Sequence, residues 1–477
     1  MPDDSLRMPG SSMTYSTVTP EVLTELRAIV GPEYVLNDAE SLALFGRDET
    51  EDLSFPPEVV VKPADALQIA ALLRLASAKR IPVTPRGGGT GLSGGALPVY
   101  RGISLSLERL NRILEIDVKN LQAVMEPGVT TQKLQEEVEA KGLFYPPDPS
   151  SRGTCQMGGN LAECAGGPRA VKYGVTKDYV LGLEAVIPTG EIIVAGARVL
   201  KNVTGYNLTQ LLIGSEGTLA VITKITVRLI PLPRLRKVVL VAFDTLENAV
   251  SAVAEIFQQG LTPSAMEFME KAAVRAAEER QGKTFPNNTA EAQLLIEVDG
   301  NHEGSLDEDI QTIAGVVEKY GAVDILLADD RQKVEDVWAL RRGIGEAVKS
   351  ISAYKEEDTV VPRACLPQLV RGVKEICARH GLTSICYGHA GDGNVHVNIL
   401  KNALGDAAWE ENSAIAIRDI FRLTVSLGGT ISGEHGIGYS QRPYLGIALT
   451  DAELDLMRRV KAAFDPSTIL NPGKIFP

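Results

Sequence analysis

The sequence lacks any apolar run of membrane-spanning length, and it contains little cysteine. No stretch approaches the roughly 18 uninterrupted apolar residues that a spanning helix needs. The five cysteines include no C-x-x-C pair, which excludes the familiar iron–sulfur spacings and fits a reducing compartment. The net charge of -13 argues against nonspecific binding to nucleic acid. We therefore expect a cytoplasmic protein with no transmembrane segment and no nucleic-acid partner.

The N-terminal residues lack the features of a secretory signal. Residues 1–19 are polar and carry Asp3 and Asp4 where such a signal would be basic, so we expect them to form a disordered leader. At 477 residues the chain has the length of about three domains, which allows both a large core and an interdomain cleft.

Glycine is concentrated in one loop, from Pro85 to Ala96. Six glycines fall within nine residues of this loop. Such a run is typical where the main chain must take positive φ angles and approach a ligand closely. Bare N–H groups in a tight loop form a donor surface for anions, and Thr90 and Ser93 add hydroxyl groups. The loop therefore predicts a phosphate-binding site.

The same loop contains the literal G-x-G-x-x-G pattern of dinucleotide-binding folds, from Gly89 to Gly94. That pattern requires a helix directly after it. Here further glycines and Pro98 follow, and the next good strand is 103–107, so we expect no Rossmann fold. A mobile linker is also disfavoured, because a clear helix and strand precede the loop.

Hydrophobic periodicity divides the chain into two regions that meet at Pro231–Pro233. The second region reads as strand-helix-strand repeats, typical of an α+β module with an antiparallel sheet and helices on one face. The last sixty residues are mostly helical. The predicted helices cover 20–30, 63–79, 130–140, 246–259 and 305–320, and the predicted strands cover 81–84, 103–107, 123–125, 238–243, 293–298 and 323–327.

Histidine is scarce, yet three of the five histidines fall in two short glycine-rich motifs. His389 and His396 would point to opposite faces of one continuous strand, but the turn at 391–394 between them lets both converge. With Glu434, which precedes His435, they form a ligand set suited to a divalent metal with open positions.

Two other interpretations of these motifs stay open. The histidines could be hydrogen-bonded cleft residues without a metal. Asp392 is a competing ligand, although its position in a turn more simply indicates an Asx-type cap.

Several motifs together resemble a known family. They are the glycine loop, PPDPSS (146–151), GGN (158–160), AGG (165–167), GSEGTL (214–219), GHAGDGN-H (388–396), GEHGIG (433–438) and NPGK (471–474). This ordered set resembles the FAD-dependent D-2-hydroxy acid dehydrogenases of the vanillyl-alcohol oxidase superfamily. The group includes the glycolate oxidase flavoprotein subunit, D-lactate dehydrogenases and D-2-hydroxyglutarate dehydrogenase.

The resemblance implies an α+β fold with a two-part FAD-binding domain at 20–233, a cap over the flavin at 234–415, and a C-terminal segment at 416–477 that completes the FAD domain. It places the pyrophosphate on Gly87–Gly91. The implied FAD contacts are Arg86, Gly87, Gly88, Gly89, Thr90, Gly91, Ser93, Pro147, Asp148, Ser151, Gly158, Gly159, Asn160, Ala165, Gly166, Glu216, Gly217 and Ile222. Members with covalent flavin often carry a histidine in this loop; because this chain has Thr90, we expect non-covalent FAD.

The resemblance also implies roles at the candidate catalytic centre. It assigns His389, His396 and Glu434 to a divalent metal, which could be Zn, Fe or Mn, and His435 to the catalytic base. Arg341 matches a carboxylate-binding arginine, with a surface ion pair as the alternative, and its planar fork suits that role. Asn398 matches a substrate-contacting asparagine.

One position departs from the family pattern and bears on the substrate. Where the hydroxyglutarate enzymes carry a lysine for the distal carboxylate, this chain aligns Glu356, with Lys355 one residue away. An acid there repels a second carboxylate, which favours D-lactate or glycolate over D-2-hydroxyglutarate.

The electron acceptor and the assembly are not fixed by the sequence. The resemblance implies transfer to an iron–sulfur subunit, to electron-transferring flavoprotein or toward a membrane quinone pool, and it leaves a homodimer and peripheral membrane association through partners open. A metal-dependent hydrolase and an electron-transfer subunit that relies on a partner for substrate are the competing functions.

Overall fold

The computed structural model of the protein describes residues 14–328 and 330–477. The expected disordered leader therefore lies mostly outside the described residues. Its last part is ordered, which corrects the expectation for those positions. The Tyr15 hydroxyl donates a hydrogen bond to the Thr468 carbonyl at 2.7 Å, and the Ser16 N–H donates to the Arg80 carbonyl at 3.0 Å.

The first region begins with a four-stranded sheet in the order β1-β2-β4-β3, with β1 antiparallel and the other strands parallel. Its elements are α1 (Pro20–Val30), β1 (Val35–Leu36), α2 (Ala39–Phe45), β2 (Val59–Val61), α3 (Ala66–Lys79), β3 (Val83–Arg86) and β4 (Ile103–Ser106). The predicted helix at 20–30 is confirmed. The helix predicted from 63 begins instead at Ala66, because the Asp65 side chain accepts the N–H of Gln68 and caps the first turn.

The glycine loop connects β3 to β4 without a helix, which confirms that this is not a Rossmann unit. Two of its glycines are required by close contacts. A Cβ at Gly88 would lie 2.5 Å from the Thr154 carbonyl oxygen, and one at Gly89, where φ is +71°, would collide with the Arg86 guanidinium. The loop is therefore pressed against the chain segment around Thr154 on one side and against Arg86 on the other.

A five-stranded antiparallel sheet follows, in the order β5-β6-β10-β8-β9. The Thr130 side chain caps α4 by accepting the N–H of Lys133. The elements of this part are β5 (Ile113–Asp117), β6 (Gln122–Met125), α4 (Thr131–Glu139), β7 (Leu143–Phe144), α5 (Met157–Glu163), α6 (Ala170–Tyr173), β8 (Val180–Val186), β9 (Ile192–Gly196), α7 (Leu208–Leu212), β10 (Val221–Arg228) and β11 (Ile230–Pro231).

The middle region forms a seven-stranded antiparallel sheet in the order β15-β12-β14-β13-β17-β18-β16. Its elements are β12 (Leu235–Phe243), α8 (Leu246–Gln258), β13 (Ala265–Glu270), α9 (Lys271–Gln281), β14 (Ala292–Gly300), α10 (Glu303–Lys319), β15 (Ala322–Ala328), α11 (Arg331–Arg342), α12 (Ile344–Lys349), β16 (Tyr354–Val360), α13 (Leu366–Arg379), β17 (Thr383–Gly388), β18 (Asn394–Leu400) and α14 (Asp406–Ser426).

Helices cover both faces of this sheet, so the expectation of helices on one face is wrong. Alternate residues of β12 enter two separate cores: Val239 and Val241 pack with α8, α10, α13 and α14, whereas Val238 and Leu240 pack with α9, α11 and α12. The continuous apolar run 238–243 in β12 is the pattern of a strand that is covered on both faces.

Helix α14 packs along its length in the core of the seven-stranded sheet. The expected boundary between 415 and 416 falls inside it, and its residues Ala416, Ile420 and Phe421 are buried in the same core as the sheet. A division there would cut a continuous helix.

The C-terminal segment returns to the first region after α15 (Leu445–Ala448) and α16 (Asp451–Phe464). The Val83 N–H donates to the Ile469 carbonyl at 2.8 Å, and the Asn471 N–H donates to the Val83 carbonyl at 2.7 Å. Leu470 is fully buried in the core of the four-stranded sheet. The Lys474 ammonium donates to the Leu97 carbonyl just beyond the glycine loop. The tail thus extends the sheet beside β3 and supports the loop.

Because Leu470 fills that core, Leu470→Ala should lower the free energy of unfolding by about 2–5 kcal/mol. Urea denaturation followed by circular dichroism measures the change. Leu456→Ala is the matched control, since Leu456 is 56% exposed on α16 and should change stability by less than about 0.5 kcal/mol. Equal effects of the two substitutions would contradict the proposed packing of the tail.

Candidate active site

A cavity of about 590 Å³ lies where the glycine loop, helix α5, the seven-stranded sheet and the GEHGIG loop (433–438) meet. This size lies within the range of about 300–1,000 Å³ typical of ligand sites. It brings together most of the predicted site residues. Those that line it are Arg86, Gly87, Gly88, Gly89, Thr90, Gly91, Ser151, Gly158, Gly159, Asn160, Ala165, Gly166, Glu216, Gly217, Ile222, Arg341, His396, Glu434 and His435.

The glycine positions leave room for a ligand with a phosphate group. A Cβ at Gly91 or at Gly159 would meet no protein atom within 4 Å, although both residues line the cavity. At these positions a side chain would fill ligand space and would not clash with the protein. This arrangement fits the bare backbone donors that bind phosphate groups.

Three predicted cofactor contacts lie behind the cavity wall. The Ser93 carbonyl accepts the N–H of Tyr439 at 2.7 Å, the Pro147 carbonyl accepts from the Gln135 amide at 3.0 Å, and Asp148 lies 3.7 Å from Arg169. Their positions support the wall, and none of the three is among the residues that line the described cavity.

The histidine hairpin is formed by β17 and β18. The turn between them brings His389 and His396 to one side, with ring centroids 5.2 Å apart, as the sequence predicts. The His396 ring stacks on the His435 ring at 5.2 Å with an interplanar angle of 14°. The three imidazoles therefore form one cluster, in which His396 and His435 line the cavity and His389 is not among the lining residues.

His389, His396 and Glu434 present a compact set of ligand atoms. The Glu434 Oε1 lies 3.2 Å from His389 Nε2 and 3.7 Å from His396 Nε2. One ligand atom from each of the three side chains lies within 4.8 Å of the others. Two imidazole nitrogens and one carboxylate suit a divalent transition metal, so the residues present fit the predicted ion. Asp392 belongs to neither ligand cluster found among the described residues.

The protonation of this set follows from burial and charge. Burial lowers the pKa of His396 to about 4, with His435 and His389 as further causes, so its imidazole is neutral at pH 7. Burial alone would raise the pKa of Glu434, but His389 outweighs it and lowers that pKa to about 2. Burial opposes protonation of His389, yet the Glu267 and Glu434 carboxylates hold its pKa well above the usual value.

The loop that carries Glu434 and His435 is held by the buried carboxylate of Asp358 on β16. Asp358 Oδ2 accepts the N–H groups of Gly433, Glu434 and His435 at 2.8, 2.7 and 2.9 Å. Asp358 Oδ1 accepts from the Asn394 amide at 2.6 Å. A second geometric cluster contains Asp358, His396 and His435. Because these donors already occupy the Asp358 oxygens, the first cluster is the better ligand set.

Glu216 holds the other half of the same loop. Its two carboxylate oxygens accept the N–H groups of Ile437 and Gly438 at 2.8 and 2.6 Å. Glu163, which lines the cavity, is packed next to this point: a Cβ added at Gly436 would fall 2.3 Å from its Oε2. The GEHGIG loop is therefore fixed by one carboxylate from each region.

Arg341 is buried and lines the cavity, so the alternative of a surface ion pair is wrong. Its Nη2 donates to Glu267 Oε2 at 2.5 Å, while its Nε has no hydrogen-bond partner among the described residues. Asn398 is also fully buried, but it is not part of the cavity lining; it lies next to the Tyr387 hydroxyl.

Glu356 is paired with a cation, so its charge is compensated and its expected repulsion of a second substrate carboxylate is weakened. Its Oε2 lies 2.9 Å from the Lys349 ammonium, and its Oε1 accepts from the Tyr387 hydroxyl at 3.1 Å. Burial would raise the pKa of Glu356, but Lys349 and the histidines outweigh it and lower that pKa. Lys355, the other nearby lysine, faces Asp52 at 3.8 Å.

Four residues that build this site were not predicted from the sequence: Glu267, Asp358, Lys349 and Glu163. A signal existed for the first, because Glu267 is an acid inside the apolar run 265–269, where an unpaired charge is costly. Asp358 lies in the polar run 354–358, where the composition gives no sign that one carboxylate is buried.

Solved structures with this fold include a hydroxylase and an oxidase. One is p-cresol methylhydroxylase with substrate bound, with a TM-score of 0.80 and 16% identity, covering 95% of this chain and 96% of that chain. Residues 57–196 match the family described as "FAD binding domain", and residues 232–475 match "FAD linked oxidases, C-terminal domain". The fold and the cavity therefore define an FAD-binding oxidoreductase.

Closer relatives narrow this class. The glycolate oxidase subunit GlcD of Bacillus subtilis is 38% identical over 463 residues, 96% of this chain and 97% of that protein. A D-lactate dehydrogenase of Anaerostipes hadrus is 37% identical over 98% of this chain and 99% of that protein. A D-2-hydroxyglutarate dehydrogenase of Stutzerimonas stutzeri is 34% identical over 96% and 99%. The chain belongs to the FAD-linked D-2-hydroxy acid dehydrogenase family.

A membrane-spanning helix requires a certain length and hydropathy. Within residues 14–328 and 330–477, every helix is too short or too polar to cross a bilayer.

Removal of the Asp358 carboxylate should release the GEHGIG loop. Asp358→Ala leaves three backbone N–H groups without their acceptor, and hydrogen bonds to a charged group contribute about 1.5–3 kcal/mol each. We expect a loss of at least about 3 kcal/mol in the free energy of unfolding. Thermal and urea denaturation of the FAD-loaded protein measure it. Asp358→Asn keeps one acceptor oxygen and should lose less; an alanine variant as stable as wild type would contradict the role of Asp358.

Proposed function

We propose that this protein oxidises a short D-2-hydroxy acid, D-lactate or glycolate, to the 2-oxo acid, and that FAD takes the hydride. The observation that carries the proposal is that His396, Glu434, His435 and Arg341 line the same cavity as the glycine loop, with His389 clustered against His396 and Glu434. This set offers a cation site, a base and a carboxylate-binding group within one cavity. A hydroxy acid needs all three.

Arg341 binds and orients the substrate carboxylate in this proposal. Its Nη2 is fixed by Glu267, and its Nε is buried without a partner on a side chain that lines the cavity. A guanidinium fixed at one nitrogen is preorganised, because fewer rotamers are lost when the carboxylate binds. Asn398 supports the site from beneath Tyr387, and we do not assign it a direct contact with substrate.

His435 takes the proton from the substrate hydroxyl. Its backbone N–H is fixed by Asp358, and its ring is stacked on His396, so the imidazole has a defined direction. Burial disfavours the charged ring, but the carboxylates of Asp358, Glu356 and Glu434 outweigh it and raise the pKa of His435, which makes it a stronger base.

The two bound groups supply the remaining chemistry. FAD, when bound, supplies the hydride acceptor at the flavin ring. A divalent ion held by His389, His396 and Glu434 supplies a Lewis acid for the substrate oxygens. Because Thr90 stands in the glycine loop where covalent members carry histidine, we propose that the FAD is dissociable.

We propose a short substrate because Lys349, which lines the cavity and could otherwise bind a second substrate carboxylate, is already paired. Lys349 lies 2.9 Å from Glu356 and is the partner of that carboxylate. A second substrate carboxylate would have to displace Glu356 or bind beside it, and both are costly in a buried site.

The domain division and the acceptor also stay proposals. We propose an FAD domain formed by residues 20–233 and 428–477 and a cap formed by 234–427, because α14 packs on the cap sheet.

We propose that electrons leave the reduced FAD to a partner protein or a quinone. The name of the relative GlcD as a subunit supports a protein partner, an iron–sulfur subunit or an electron-transferring flavoprotein.

Anaerobic addition of D-lactate or glycolate should bleach the flavin absorbance of the purified protein. Treatment with a chelator before substrate should abolish the bleaching, because the cation orients the hydroxyl. L-lactate and D-2-hydroxyglutarate serve as comparison substrates and should react slowly or not at all. Bleaching by D-2-hydroxyglutarate alone would establish that alternative. An FAD-loaded protein that no hydroxy acid bleaches would instead be a partner-dependent electron-transfer subunit.

His435→Ala should retain FAD and metal, yet its flavin reduction should slow by about 10²–10⁴-fold, the usual contribution of a general base. Stopped-flow absorbance at saturating substrate measures this rate. His302→Ala is the matched control, since His302 is exposed before α10 and should reduce flavin at the wild-type rate. Rapid flavin reduction in His435→Ala would remove His435 from the role of base.

A further inference from the structure

Glu267 is a fully buried carboxylate in the middle of the apolar strand β13. Its neighbours on the strand, Met266 and Phe268, are buried in a hydrophobic core, and Glu267 itself has no exposed surface. Removing an unpaired charge from water costs several kcal/mol. Glu267 therefore requires hydrogen-bond or ion-pair partners, and the residues that fill this role indicate what the carboxylate does.

Both partners of Glu267 are residues of the proposed active site. Its Oε1 and Oε2 lie 2.8 and 2.9 Å from His389 Nδ1, and its Oε2 lies 2.5 Å from Arg341 Nη2. An ionised carboxylate only accepts hydrogen bonds, so His389 Nδ1 carries the proton. The nitrogen that faces Glu434 is then His389 Nε2, at 3.2 Å. One carboxylate thus fixes the ring of a proposed metal ligand and the guanidinium of the proposed substrate-binding residue.

A second buried carboxylate on the same strand, Glu270, serves as a comparison, because its ion pair lies outside the site. Glu270 is 7% exposed, and its Oε2 lies 2.7 Å from the Lys374 ammonium. Neither Glu270 nor Lys374 lines the cavity or contacts a member of the histidine set among the described residues. Glu267 differs because it connects two elements, the β17–β18 hairpin and α11, at the site itself.

We propose that Glu267 is a positioning residue that fixes the distance between the substrate carboxylate and the metal. It does so by binding Arg341 and His389 with one carboxylate. The inference rests on the proposed function, and it goes further by naming the group that couples the two binding determinants. A shared anchor makes the spacing independent of side-chain rotamers, because neither Arg341 nor His389 can turn without losing a charged hydrogen bond.

The test is Glu267→Gln in the FAD-loaded protein, with two affinities as readouts. The first is the dissociation constant for Zn²⁺, measured by competition with a chromophoric chelator. The second is the dissociation constant for 2-hydroxyisobutyrate in chelated, metal-free protein, measured from the shift of the flavin spectrum. This acid has no hydrogen on its α-carbon, so it cannot be oxidised, and without metal it reports on the Arg341 interaction alone.

We expect Zn²⁺ to bind about 10–100-fold more weakly to Glu267→Gln, as for other groups that orient a metal-binding histidine. We expect 2-hydroxyisobutyrate to bind at least about threefold more weakly, since Arg341 loses its charged partner. Arg341→Lys should weaken only the acid, and Glu270→Gln, the matched control, should change neither constant.

The outcomes separate this inference from the proposed function. If Zn²⁺ and 2-hydroxyisobutyrate bind Glu267→Gln as tightly as wild type, the inference is overturned and the function stands. If wild-type protein binds no metal, the metal site and the inference fall together. Should Glu267→Gln not fold, Glu267→Asp keeps the charge but withdraws it by one methylene, and unchanged affinities in that variant overturn the inference equally.

Discussion

The site depends on two buried carboxylates that hold the GEHGIG loop from opposite sides. Asp358 of the seven-stranded sheet binds the N–H groups at the start of the loop, and Glu216 of the FAD-binding region binds those at its end. Glu434 and His435 lie on the half that Asp358 holds. The geometry of the GEHGIG loop is therefore set by the relation between the two regions, and any shift between them would move Glu434 and His435 relative to the cavity.

Charge compensation is the second constraint. Two cations that line the cavity are paired with buried carboxylates, Arg341 with Glu267 and Lys349 with Glu356. In a low-dielectric interior each pair is strong when complete, and each is costly when one member is lost. These two pairs fix the side chains of Arg341 and Lys349 in the cavity wall, and the Arg341 Nε has no hydrogen-bond partner among the described residues.

The sequence predicts those parts of the site that depend on local backbone chemistry. The helix-free glycine loop and the turn that lets His389 and His396 converge are predicted correctly, because glycine and Asx carry their conformational meaning within a few residues. The parts it misses are long-range. Glu267 meets His389 across 122 positions, and Asp358 meets the loop across 75 to 77. A single sequence does not show which distant residues come into contact. The second helical layer of the cap is a different case, because the continuous apolar run 238–243 already indicates a strand buried on both faces.

The return of the C-terminal tail to β3 has a consequence for synthesis on the ribosome. The seven-stranded sheet and its helices form a contiguous stretch, from Leu235 to Ser426, and can become compact while the chain is still growing. The four-stranded sheet cannot, because Leu470 must arrive before its core is filled and before β3 gains its neighbour. The flavin-binding region, although it is translated first, is therefore the last to be completed, and FAD has its finished site only after nearly the whole chain has left the ribosome.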